Sequence, residues 1–422
     1  MKTILASVYA LNPQKGSEDG MGWNFVCQIA RYNKVVAVTR ENNRQQIEEY
    51  MLAHPQEKYQ NMSFLYYDLP YYLRFWKKGS RGAMVYYYLW QLFLPIFILG
   101  QRLSFDLVHN LNFHNDWTPS MLWVLGKPMI WGPVGHHPLI PKNYLLPIYG
   151  LNAYLKDRVT WIMKQLFWKL DPFLKLTKYK AKYIFAMNGA VQNRLKVNEE
   201  KVSIMPSVAS EDVSILSIAK QNFNVLAIGR FVPLKGFDVS IRSFAKFYHN
   251  KEVKANKMSR LILVGKGEQK QFLMNLCEEL KVAQAVTFID WIERAELQNI
   301  YRNASVFLFP SHEGAGMVVA EALSYGLPVL CFDNPGPGEF VNNSCGRTVL
   351  YGDYDRSTGE FAQHLVELSK NSTLLRKLSI GARAHFEKKF TWKLRGEQLR
   401  EQYSRIASLS KSKEVLEQKR EV

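Results

Sequence analysis

Short runs of β-branched and aromatic residues alternate along this chain with longer stretches of helical pattern, and that alternation constrains the fold more than any other feature. Ile4 to Tyr9, Lys34 to Thr39, Ser63 to Tyr67, Leu107 to Asn110 and Pro128 to Trp131 read as strands in the first half. Asn224 to Ile228, Arg260 to Val264, Val286 to Ile289, Val306 to Phe309 and Pro328 to Cys331 repeat the rhythm in the second. Strands separated by helices imply parallel sheets covered on both faces. At 422 residues the chain is longer than one core fills, so two doubly wound α/β domains are expected. The boundary falls where Lys201 to Val208 ends a strand-like run at Pro206 and a polar stretch from Ser210 to Asn224 follows. The expected organisation is a domain over 1–207 and a second over 208–390. A helix over 391–407 has the first domain as its candidate packing partner, and a tail over 408–422, with almost no apolar residues, is expected to be mobile. In open α/β sheets ligands bind outside the carboxyl ends of the strands, so two such sheets would face a central cleft that takes a substrate from each side.

Composition narrows the partners. A formal charge of +18 points to an anionic one: nucleotide phosphate, lipid-linked phosphate, a membrane surface or nucleic acid. The cations are scattered over both halves and form no nucleic-acid module, which argues against the last. Cys27, Cys277, Cys331 and Cys345 include no pair at metal or redox spacing and read as reduced thiols of a cytoplasmic protein. Met1 to Val8 reaches Asn12-Pro13 too early for an export segment and reads as a strand. Tyr86 to Gly100, 15 residues with Gln91 and Pro95 inside, is shorter than a bilayer crossing needs. Ahead of it, Leu69 to Gly82 interleaves bulky aromatics with Arg74, Lys77, Lys78 and Arg81. That segment reads either as an interfacial contact with an anionic membrane, at its inner face, or as a core helix with a solvated basic flank.

Three constellations carry chemistry. Phe309-Pro-Ser-His-Glu-Gly-Ala-Gly-Met317 follows a strand and opens a helix, leaving the amides of Gly314, Ala315, Gly316 and Met317 available to an anionic or hydroxyl-rich ligand. Glu313 precedes that turn and Glu321 follows eight positions later, a little over two helical turns. One carboxylate suits a sugar and the other a ribose; equally, both gain from the helix macrodipole. Gly229-Arg230 and Lys235-Gly236 follow the strand at Asn224, where two cations suit a diphosphate leaving group with no metal, or form a solvated surface pair. Asp353-Tyr354-Asp355 formally matches a metal-holding D-x-D pattern but lies in a late polar loop and reads as a turn.

Gly229-Arg230, Lys235-Gly236, Gly265-Lys-Gly-Glu268, Phe309-Pro-Ser311 and Glu313 with Glu321 together resemble the retaining glycosyltransferases of family four, which have the GT-B fold. The resemblance implies that Glu313 contacts the transferred sugar, Glu321 the ribose, and Arg230 and Lys235 the diphosphate. It further assigns the amides of Gly314 to Met317 to the donor and places the base near Ile289 to Ile292. In the first half Gly16 to Trp23 is similar to the family's glycine-rich loop, with Gly16 on the donor side and Gly20 and Gly22 toward the acceptor. His109 fits the family's strand-end histidine, although the usual close histidine pair is replaced by His109-Asn110, with His114 further on. Trp131 to His137 lies at another strand end, where Gly135 permits close approach by a substrate. Adjacent His136 and His137 on an extended segment point to opposite faces, which argues against a metal.

The resemblance implies transfer of a sugar from a nucleotide sugar to a glycan or lipid-linked acceptor, with retained configuration and neither metal nor other cofactor. Synthesis of a bacterial envelope or capsular polysaccharide is the expected setting. A sugar-nucleotide epimerase of the same architecture is the alternative; a catalytically silent relative is a further one.

Overall fold

The computed structural model describes residues 1–79, 82–112, 115–213, 222–251, 258–290 and 292–418. It divides into two compact units, one of Met1–His136, Ile162–Ser207 and Trp392–Val422, the other of His137–Trp161 and Val208–Thr391.

The first unit holds seven parallel strands: β1 (Thr3–Val8), β2 (Lys34–Thr39), β3 (Met62–Tyr66), β4 (Leu107–Asn112), β5 (Met129–Val134), β6 (Ala181–Ala186) and β7 (Val202–Ile204). They lie in the order β3-β2-β1-β4-β5-β6-β7. Ile4, Leu5, Ala6 and Val8 of the interior strand β1 are fully buried, as both faces of a helix-covered sheet require. The second unit holds β8 (Asn224–Ile228), β9 (Arg260–Val264), β10 (Val286–Ile289), β11 (Val306–Phe309), β12 (Val329–Phe332) and β13 (Gly346–Val349), ordered β10-β9-β8-β11-β12-β13 and likewise parallel. Each sheet reverses its strand order once, between β1 and β4 and between β8 and β11. Those are the switch points beside which such sheets bind ligands.

Five features depart from the sequence reading. Residues 137–161 belong with the second unit: Tyr144 donates to Ser357 Oγ at 2.6 Å, Asn143 to the Gly352 carbonyl at 2.7 Å and Tyr149 to Asp238 Oδ1 at 2.6 Å. Tyr354 donates to the other oxygen of Asp238 at 2.7 Å, so a carboxyl whose pKa burial raises is held by two phenols. The last helix runs from Trp392 to Gln418, well past the expected end, because Lys, Glu, Leu and Gln there are strong helix formers. It packs on the helix Ser17–Ala30, with Trp392 edge-on to Phe25 at 5.4 Å and Arg395 Nε donating to the Pro206 carbonyl at 2.9 Å. Two strands, β6 and β13, add to those expected, and β7 lies within the strand-like run that ends at Pro206. The apolar helix spans Ala83–Gly100, which by length and composition is enough to cross a membrane; yet Tyr86, Tyr87, Trp90, Leu94 and Ile98 pack into the core of the first unit. Asp353, read as part of a turn, caps the helix Tyr354–Lys370 by accepting from Asp355 and Arg356 amides.

Tyr149→Phe leaves the buried Asp238 with one phenol fewer and should lower the unfolding free energy by roughly 1–3 kcal/mol in chemical denaturation. An unchanged midpoint would mean that the contact does not anchor residues 137–161.

Candidate functional site

The site of the second unit is built where β8 and β11 part. After β8 the chain passes Gly229 and Arg230, buries Phe231, makes the single turn Pro233–Lys235 and turns at Gly236 with φ +64°. A Cβ on Gly236 would lie 2.0 Å from the Pro310 carbonyl oxygen, so only glycine lets this loop press against the loop after β11. The two loops are then laced together: Ser311 Oγ and the His312 amide both donate to the Leu234 carbonyl, at 3.1 and 2.9 Å. Asn334, just past β12, donates to the Ser311 carbonyl at 2.8 Å. His312 is buried against Phe332, Tyr351 and Tyr144, and desolvation pushes its pKa down to about 3, so it stays neutral and structural.

This lacing brings Lys235 and Glu313 together. Lys235 Nζ lies 2.7 Å from each carboxylate oxygen of Glu313, with Glu313 buried. Arg230 is exposed on the same loop and has no ion-pair partner among the described residues. Behind Glu313 begins the helix Met317–Ser324, whose first-turn amides have no partner within the helix. Gly314 and Gly316 are buried, Ala315 and Met317 half-buried. Gly336, at φ +113°, leaves room for the backbone of Gly314, which a Cβ would meet at 2.6 Å. Glu321, on that helix, accepts from the Tyr301 hydroxyl at 2.9 Å; burial raises its pKa, opposed by the Tyr301 hydrogen bond and Arg294. Ile292 joins the same apolar cluster as Met317, while Trp291 lies outside the described residues.

The residues expected in the first unit fare differently. His109 is a correction: it is fully buried, with Nε2 2.7 Å from the Gly132 carbonyl and Nδ1 2.6 Å from the Tyr403 hydroxyl. The carbonyl can only accept, so Nε2 carries the proton, Nδ1 accepts from Tyr403, and neither nitrogen is left for a substrate. The last helix supplies Tyr403, from 294 positions away. Desolvation lowers the His109 pKa to about 3. Gly20 and Gly22 are a second correction, since they are buried inside the helix Ser17–Ala30 and not in a loop; a Cβ on Gly20 would meet the Lys15 carbonyl oxygen at 2.3 Å. Gly16 is exposed at the cap of that helix, Gly135 is buried past the end of β5, and His114 lies outside the described residues.

One residue that the sequence reading did not assign to the site enters it. His137 Nδ1 accepts from the Gly314 amide at 3.1 Å, which leaves its Nε2 protonated whenever the imidazole is neutral. Its position past a glycine-bearing strand end was visible; its partner, 177 positions on, was not. The neighbouring His136 pairs with buried Asp116 at 2.7 Å. Among the described residues no three His, Cys, Asp or Glu side chains gather as metal ligands would.

Residues 209–385 match the family model described as glycosyl transferases group 1, over the span that carries Arg230, Lys235, Glu313 and Glu321. The chain is 28% identical over 250 residues to a D-inositol 3-phosphate glycosyltransferase of Nocardia farcinica, covering 57% of this chain and 54% of that one. It is 27% identical over 241 residues to the O-antigen chain mannosyltransferase RfbU of Salmonella typhimurium, covering 55% and 64%. The chain spans about half the length of the curated relatives it matches. Among solved structures, WaaG, a glycosyltransferase involved in lipopolysaccharide biosynthesis, aligns with TM-score 0.62 at 16% identity, over 94% of this chain and 98% of that one. HepE of Anabaena, solved in complex with UDP, gives 0.62 at 16% identity, over 96% and 100%. At such identity these two show the fold: two parallel-sheet units of the GT-B glycosyltransferase type.

Because His109 and His312 remain neutral when folded while an unfolded histidine protonates near pH 6.5, the stability they contribute is whole above about pH 6.5. It is lost as pH falls toward 3, by up to about 1.4 kcal/mol per pH unit for each. The chain carrying His109→Gln should show that much less slope in unfolding free energy between about pH 6 and pH 4. Parallel slopes would mean that His109 titrates normally in the folded chain.

Proposed function

We propose that this transferase moves a sugar from a nucleoside diphosphate sugar to a hydroxyl of a glycan or lipid-linked acceptor, with retention of anomeric configuration. The contact of Lys235 with both oxygens of Glu313 at the β8/β11 switch point carries the reading. It sets a fixed ammonium, an exposed guanidinium and a helix N-terminus around the place where a diphosphate departs. Preorganised positive charge of this kind supplies the largest share of stabilisation for a leaving anion. Solved relatives of this fold in complex with UDP and with UDP-glucose support the donor class.

In the proposed step the bond between the anomeric carbon and the diphosphate oxygen breaks, and its electron pair leaves with the diphosphate. The acceptor hydroxyl attacks from the face the diphosphate is leaving, through an oxocarbenium-like transition state. Its proton passes to the departing phosphate oxygen. Arg230, Lys235 and the amides at Ala315 to Met317 hold the growing negative charge, while the Gly314 amide is taken by His137, so the step uses no cofactor. Glu313 keeps the ammonium in place and accepts from sugar hydroxyls; Glu321 accepts from the ribose. A relative named an O-antigen chain mannosyltransferase supports an envelope or capsular polysaccharide as the product; the cytoplasm is the site of synthesis in this proposal.

Release of nucleoside diphosphate from a panel of nucleotide sugars, with and without acceptor, tests the reading, and NMR of the product's anomeric proton tests retention. Lys235→Ala should lower kcat by about 100-fold or more with folding intact, the scale of removing one transition-state charge stabiliser. An unchanged rate, or an interconverted nucleotide sugar formed without acceptor, would overturn it.

A further inference from the structure

The helix Ala83–Gly100 is apolar on every side and carries no charged residue. Such a helix is normally covered all round in a globular core, but here one face is left open. Tyr86, Tyr87, Trp90, Leu94 and Ile98 point into the first unit, while Val85, Phe93, Ile96 and Leu99 are exposed, Ile96 to 67% and Leu99 to 61%. Half-buried Leu89 and Leu92 complete the row, and exposed Leu103 follows just past the helix. Steps of three or four residues put these side chains on one face, a stripe roughly 20 Å long at 1.5 Å per residue. Tyr88 joins it to a second exposed apolar surface: its ring lies 5.7 Å from Phe167 and its hydroxyl donates to Asp171 at 2.8 Å. Phe167 lies on a different helix, which ends at Leu170 and around that ring exposes Ile162, Met163, Leu166 and Leu170.

The charge around both surfaces has one sign. From 69 to 105 the chain has five cations, Arg74, Lys77, Lys78, Arg81 and Arg102, and no acidic residue. From 162 to 198 it has eight cations and one acid, Asp171, whose carboxylate is already occupied by Tyr88 and by the Phe173 and Leu174 amides. Lys175 and Lys180 stand exposed beside exposed Leu176 and Tyr179.

We propose that this face docks on an anionic lipid bilayer. The helix lies in the interfacial plane with Ile96 and Leu99 among the acyl chains, and the lysines and arginines meet the headgroup phosphates. A second copy of the chain is the poorer occupant, because it would bring two cationic rims together. Helix Ala83–Gly100 does not span the bilayer in this arrangement, since its inner face is held by Trp90 Nε1 on the Tyr67 carbonyl at 2.9 Å and Gln91 on Ser7 at 3.2 Å. The inference is independent of the donor reading.

Flotation of the full chain with vesicles tests it, using phosphatidylcholine alone and phosphatidylcholine carrying roughly 30% phosphatidylglycerol. The chain should float with the mixed vesicles only and be released by high salt. Ile96→Glu with Leu99→Glu, both at exposed positions, should cut the bound fraction about tenfold. Circular dichroism and calorimetric titration with a nucleoside diphosphate should be unchanged, which separates this outcome from any failure of the donor site. Failure to float, equal binding to neutral vesicles, or undiminished binding of the double variant would overturn the proposal. A dimer by light scattering that the double variant splits, without vesicle binding by either protein, would show a self-association surface in its place.

Discussion

Lys235 and Glu313 form a charge pair that neither residue could sustain alone at such low exposure, with the side chains at 16% and 10%. Removing charges from water costs several kcal/mol each, and only close, fixed geometry offsets it. The geometry is fixed by the backbone. Gly236 lets the β8 loop touch Pro310, the Leu234 carbonyl accepts from two groups of the β11 loop, and Asn334 ties the end of β12 to the same loop. Three strand ends therefore hold one ammonium in place before any ligand arrives. That is the condition under which a cation stabilises a transition state more than a ground state.

Much of this fold was legible because parallel strands buried on both faces read as unbroken apolar runs. The expected limits of β2, β8, β9, β10 and β11 match the observed ones, and most others differ by one or two residues. The strands that escaped notice lack that signature. β6 alternates Lys182 and Tyr183 into its run, and β13 opens with Gly346 and Arg347. The site in the second unit was legible for a related reason: its residues sit at strand ends and helix starts, which local pattern locates.

Partners contributed from far along the chain were not legible. His109 has the residue type and strand-end position of a catalytic imidazole, and only the fold of the last helix, which brings in Tyr403, makes it a buried structural group. Residues 137–161 follow β5 directly, yet Tyr144 and Tyr149 find their partners at Ser357 and Asp238. His137 likewise meets Gly314 across 177 positions. The helix Ala83–Gly100 shows the same limit differently: composition makes it apolar on all sides, and only the packed core decides which side stays open.

The central claim is that positive groups after β8 and amides after β11 receive a diphosphate. A crystal structure of the chain soaked with a nucleoside diphosphate examines it most directly. The account places phosphate oxygens within hydrogen-bond distance of Lys235 Nζ and the Arg230 guanidinium, with the ribose hydroxyls on Glu321. A nucleotide bound elsewhere, or phosphates that leave both cations untouched, would contradict it.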